Sequence, residues 1–126
     1  MARVDFDSIL PCTAEGAINK YSIVKFGAND YGVLQAGAST DKILGVTTEI
    51  AAASGEPCDV ITDGFASLAL GGTVTRGDWL TSDASGNAVT AAPSTGVNAQ
   101  VVGKALQSGV AGDVIEVLVE VGVIQG

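Results

Sequence analysis

The chain contains no histidine. That absence removes the Ser-His-Asp and Cys-His nucleophilic constellations, and with them the commonest metal ligand. Basic residues are scarce too: 6 Lys and Arg stand against 14 Asp and Glu, a formal net charge of −8. A surface of that sign is repelled by phosphate backbones and no basic run offsets it, so nucleic-acid binding is not expected. No apolar run approaches the roughly 20 residues a helix needs to span a bilayer, so no membrane partner is expected. A glycine-rich phosphate loop ending in Lys-Ser or Lys-Thr, a Gly-x-Gly-x-x-Gly turn and an Asn-x-Ser/Thr sequon are all missing, and no cofactor is expected. Met1 to Gly16 carries acids where a signal peptide has a basic segment and lacks an apolar stretch, so synthesis in the cytoplasm is expected. Cys12 and Cys58 are then expected as free thiols; an oxidising compartment would let them pair, and spacing alone does not decide it.

What remains is rich in small and apolar residues. Of the 126 residues, 47% are hydrophobic, 16% are charged and 17 are glycine. Val, Ile and Thr flanked by Gly, Asp, Asn and Ser predict an all-β chain of short strands, folded as one domain: a compact small β-barrel or β-sandwich. Mean hydropathy is +0.40, and the surplus apolar surface is assigned to a protein interface.

The stretch Thr73 to Ala92 organises the pattern. A turn at Gly77-Asp78 leads into Trp79-Leu80, and a second turn, Asp83 to Asn87, leads into Ala88-Val89-Thr90, which is a hairpin written in turn residues. Asn19 to Val33 repeats it at an offset of about 56 residues, with Lys20 over Arg76, Ile23-Val24 over Trp79-Leu80 and Val33 over Val89. Lys42 to Val46 then matches Val101 to Ala105, and Gly55-Glu56 matches Gly112-Asp113. Two duplicated halves are expected, about 17–70 and 73–121, within a domain of 17–126. Strands are predicted at Ala17 to Lys25, Gly32 to Ala36, Lys42 to Glu49, Pro57 to Thr62 and Phe65 to Leu70. The second half predicts them at Asp78 to Ser82, Asn87 to Ala91, Gln100 to Gln107 and Asp113 to Val121, with a helical turn at Ile50 to Ser54 and a loop at Ala92 to Ala99. The last strand should bury Ile115, Val117, Val119 and Val121 on one face.

Residues 1–16 show no strand bounded by turns and are expected to form an extended arm. Their apolar residues, Val4, Phe6, Ile9 and Leu10, are interrupted by Asp5, Asp7 and Pro11 and are too few for a core of their own. They are the candidate interface residues, expected to be held by a partner protein or an adjacent subunit rather than by their own domain.

Catalysis by carboxylates alone needs two acids around a cleft, whereas Asp59, Asp63, Asp78, Asp83 and Asp113 sit at strand ends beside glycines, where turn formation explains them. Asp83-x-Ser85-x-Asn87 opens like a calcium loop but lacks the downstream Glu and flanking helices. Arg76-Gly77-Asp78, a tripeptide read elsewhere by adhesion receptors, falls on a turn entering a strand. Trp79 and Phe65 are expected to fill the barrel core; exposed, they would form a platform for a sugar or base.

Three stretches together carry a resemblance: Gly77 to Asp83 with Gly86 to Val89, then Val102 to Leu106, then Ala111 to Val119, extended by Ile43 to Val46 and Ala53 to Glu56. They resemble the capsid decoration proteins, also called cement or head-stabilising proteins, of tailed bacteriophages. The likeness spans roughly Ala17 to Val121. It implies a compact β-barrel-like subunit of the virion, a homotrimer on the outer capsid surface that bridges neighbouring major capsid proteins, with no catalytic residues to carry over. The competing reading is a small-ligand or carbohydrate-binding β-barrel module, with Trp79 or Phe65 as platform and Ala92 to Ala99 as lid.

Overall fold

The computed structural model describes residues 8–126, and all regular structure within them is β. Nine strands follow in order: β1 (Ser8–Ala14), β2 (Ile23–Phe26), β3 (Gly32–Gln35), β4 (Ile43–Thr47), β5 (Pro57–Ala69), β6 (Trp79–Ser82), β7 (Ala88–Thr90), β8 (Asn98–Ala105) and β9 (Val114–Gln125). The expected all-β domain is therefore present. The segment 50–54, expected as a helical turn, instead bridges back at Ala52 to Ile18. The two strands expected at 57–62 and 65–70 are one continuous β5.

The first five strands close on themselves. β2 pairs with β3 and β4, β4 with β5, and β1 joins the ends by pairing antiparallel with β5 and parallel with β3. This corrects the expected arm: over Ser8–Ala14 it is a stave of the chain's own barrel. Pro11 does not prevent this, because alternate residues of β1 face β5 and β3. The Thr13 N–H donates to the Tyr31 carbonyl on the β3 side and the Ala14 N–H to Glu56 on the other. Pro11 thus presents its missing donor toward β3, where pairing starts only at Thr13.

The second half uses the same order. β6 pairs with β7 and β8, and β8 with β9, as β2 pairs with β3 and β4, and β4 with β5. The part of β5 from Gly64 onward takes the place of β1, pairing with β9, and Leu70 just past its end bridges Ala88 of β7 in parallel. The loop bonds repeat as well. The Gly55 N–H donates to Ala14 as that of Gly112 does to Leu70, and Ile18 exchanges two bonds with Ala52 as Val74 does with Gly109. The matching segments accordingly begin in β1 and in the middle of β5, earlier than 17 and 73.

Register corrects the pairing of Val33 with Val89. Val33 lies opposite Phe26, and the residue opposite Ser82 is Ala88, so the loop 27–32 is one residue longer than the loop 83–87. That shift puts Tyr31 in the place of Gly86.

Two interiors result. Cys12, Ala14, Ile18, Val24, Val33, Ala52, Cys58 and Val60 fill the first barrel. The larger cluster fills the second, from Leu68, Leu70, Leu80, Ile115 and Val117, and reaches Ile23, Ile43 and Val46 of the first half. Alternation decides which side chains enter. Leu80, Ala66 and Leu68 point inward, which leaves their neighbours Trp79 half-buried and Phe65 exposed; neither aromatic fills the core as expected. Val121 is likewise exposed, because β9 runs on to Gln125 beyond the buried stretch that ends at Val119.

Candidate interface at the β2–β3 loop

The loop 27–32 is held from outside itself. Glu15, just past β1, accepts hydrogen bonds from the backbone N–H groups of Ala28 at 2.8 Å and Asn29 at 2.9 Å. These two donors, Ala28 first, hold the Glu15 carboxyl below its ordinary value. Gly27 and Gly32 make room: a Cβ at either would collide with the Glu15 carboxylate. The Gly32 N–H closes the turn on the Asn29 carbonyl at 3.0 Å.

Within this fixed loop Tyr31 adopts φ 58°, in the left-handed region. For a bulky side chain that conformation costs about 1–2 kcal/mol. Tyr21 does the same at φ 51°. The corresponding positions in the second half are Gly86 and Gly77, at φ 77° and 91°, where glycine adopts the shape freely. The backbone demands the conformation in both halves; only the first half places tyrosines there. Tyr31 is 67% exposed, and Phe26, which lines the same groove, is 57% exposed. With Leu10 and Leu44 they line an open groove of about 570 Å³.

Of the four candidate interface residues, Leu10 lines this groove and packs partly on the first interior, while Ile9 is exposed. Val4 and Phe6 lie outside the described residues. Tyr31 and Phe26 were missed, although aligning the two halves with a one-residue gap sets Tyr31 against Gly86.

The other candidate chemistry resolves into turns. Asp83 Oδ1 accepts from the N–H groups of Ser85 and Asn87 at 2.8 and 3.0 Å, so the calcium-like triplet is an Asx turn. Asp78 accepts from the Thr75 N–H at 2.9 Å and the Thr90 hydroxyl at 3.1 Å, which accounts for Arg76-Gly77-Asp78. Asp113 accepts from the Val110 N–H at 2.9 Å. Among the described residues, no three Cys, Asp or Glu side chains gather as a metal site would require.

The platform and lid of a ligand-binding module are not brought together. The loop 92–99 borders a groove with Thr81, Ser82 and Val89, but neither Trp79 nor Phe65 lines it. Phe65 lines a separate depression with Tyr21, Thr47 and Glu116. The Trp79 ring is covered by the Lys104 ammonium, 4.6 Å from its centroid, a cation–π contact.

Against known proteins, the family model for phage cement protein matches residues 5–121. No curated protein sequence matches. Among solved structures, the N base of the head fiber gp8.5 of bacteriophage phi29 superposes with a TM-score of 0.65 at 19% identity, covering 90% of this chain and 94% of that one. At that identity the likeness concerns the fold.

Proposed function

Because the chain belongs to the phage cement protein family, we propose that it is a structural virion subunit that seats on the outer surface of a phage head and stabilises contacts between neighbouring major capsid proteins, acting as a homotrimer. The observation that carries this reading is Tyr31. A strained backbone held by Glu15 presents this exposed residue in the groove that the exposed Phe26 also lines. Strain of this kind persists where the surroundings over-determine it, and a loop backbone so held has little further freedom to lose on binding. Aromatic anchors of this type dominate the energetics of protein interfaces.

The N-terminal residues enter the proposal in altered form. Leu10 lines the groove from a stave fixed in its own barrel, and Ile9, exposed on the same stave, adds to the rigid surface proposed for contact. Val4 and Phe6 precede it and are proposed to continue the contact along the capsid. The test is co-sedimentation with undecorated phage heads. Phe26→Ser should weaken binding about tenfold or more while leaving the melting temperature unchanged; unaltered binding would exclude the groove. Light scattering of the free protein reports whether the trimer forms before it meets the capsid.

A further inference from the structure

Two buried thiols face each other across the seam that closes the first barrel. Cys12 of β1 and Cys58 of β5 are register partners, are 5% and 4% exposed, and belong to one interior cluster. Both are free in the structure. The matching pair in the second half is Leu68 and Ile115, also register partners, so the position calls for apolar bulk and does not by itself require sulfur.

The geometry suits a covalent bond. The Ala14 N–H donates to the Glu56 carbonyl, so by the alternation of the antiparallel ladder the register partners Cys12 and Cys58 stand at a hydrogen-bonding position. Such positions hold Cα atoms about 5.5 Å apart, inside the span of roughly 4.4–6.8 Å that a disulfide bridges, and their Cβ atoms, about 5.5 Å apart, must draw together by about 1 Å to close the bond. Both side chains project into the same interior, as a bond between them requires.

We propose that Cys12 and Cys58 form an intrachain disulfide, locking β1 onto β5, when the protein meets a small-molecule disulfide such as oxidised glutathione. One cysteine thiolate attacks a sulfur of oxidised glutathione, breaking its S–S bond and releasing one glutathione thiolate. The second cysteine thiolate attacks the resulting mixed disulfide at the protein sulfur and releases the other glutathione. Two protein thiols are oxidised, one glutathione disulfide is reduced to two thiols, and the two protons pass to the released glutathiones. Burial, the first cause for both thiols, with Asp59 beside Cys12 and with Cys12 and then Asp59 beside Cys58, holds them above their ordinary values. The closed barrel therefore reacts slowly, faster as pH rises, and through opening of β1. Reducing cytosol keeps the lock open and oxidising surroundings close it; on the reading proposed above, this happens once particles leave the host.

The test uses the reduced full chain, both native and refolded from denaturant, in glutathione buffers of increasing oxidised fraction. Non-reducing peptide mapping and thiol counting in denaturant should find one bond joining residues 12 and 58 within a single chain, with two hydrogens lost. The melting temperature should rise by several degrees and fall back on adding dithiothreitol. Cys12→Ala and Cys58→Ala should each abolish that rise, and either variant suffices if the other fails to fold. Free thiols after refolding in the most oxidising buffer would overturn the proposal, as would a lasting glutathione adduct or a bond between two chains. No capsid enters the assay, so its failure and that of the capsid reading are separable.

Discussion

Glu15 and Asp83 perform the same task on corresponding loops, although their side chains leave from different strands. Each carboxylate takes two backbone N–H donors of the loop that joins paired strands: Ala28 and Asn29 for Glu15, Ser85 and Asn87 for Asp83. The exchange is reciprocal. Glu15 lies against Gly27, which stands at the position of Asp83, and Asp83 lies against Gly71, which stands at the position of Glu15. A Cβ at either glycine would meet the opposing carboxylate.

Glu15→Gln tests the electrostatic part of this arrangement. The Glu15 carboxyl is lowered in the folded state from 4.5, so its contribution is complete above that value and is lost as pH falls through the lower folded value. Wild-type stability should decline on acidification through this window, and the Glu15→Gln difference should shrink toward zero there. Urea unfolding at a series of pH values measures it; a difference independent of pH would show that the carboxylate charge is not used.

Gly45 and Gly103 should resist substitution for a common reason. A Cβ at Gly45 would strike the carbonyl of Ile61, and one at Gly103 that of Leu118, each on the neighbouring strand. Gly103 also sits at φ 154°, a conformation rare for other residues. Gly45→Ala should cost about 1–3 kcal/mol, and Gly103→Ala at least as much. Chemical denaturation reads both.

Removing residues 2–14 should destroy the first barrel. The deletion takes out β1, its pairing with both β3 and β5, and the interior residues Cys12 and Ala14. Circular dichroism should show a lost or strongly lowered melting transition. A truncated chain melting at the full-length temperature would return β1 to the role of a detached arm.

Strand positions were legible because Gly, Asp and Asn mark the turns, and the offset near 56 residues was legible in Lys20 against Arg76 and Ile23-Val24 against Trp79-Leu80. The role of β1 was not. Its partners are distant in sequence, and Pro11 speaks against a strand unless the side its missing donor faces is known. The outward placement of Phe65 and Trp79 could have been read from strict alternation with Ala66, Leu68 and Leu80. Tyr31 escaped because an ungapped alignment set it against Asn87, and a left-handed backbone leaves no mark in a tyrosine codeword; only comparison with Gly86 exposes it.

The capsid reading turns on what Tyr31 does with its strain, and Tyr31→Gly tests it most directly. Glycine adopts φ 58° freely, so relief of strain should outweigh or balance the added freedom of the unfolded chain, leaving stability unchanged or raised by up to about 1 kcal/mol. Binding to undecorated phage heads, measured by titration and co-sedimentation on the same sample, should weaken about tenfold or more as the aromatic anchor is lost. A variant that folds at least as well and binds poorly is the result the account predicts. Undiminished binding by a stable Tyr31→Gly protein would contradict it.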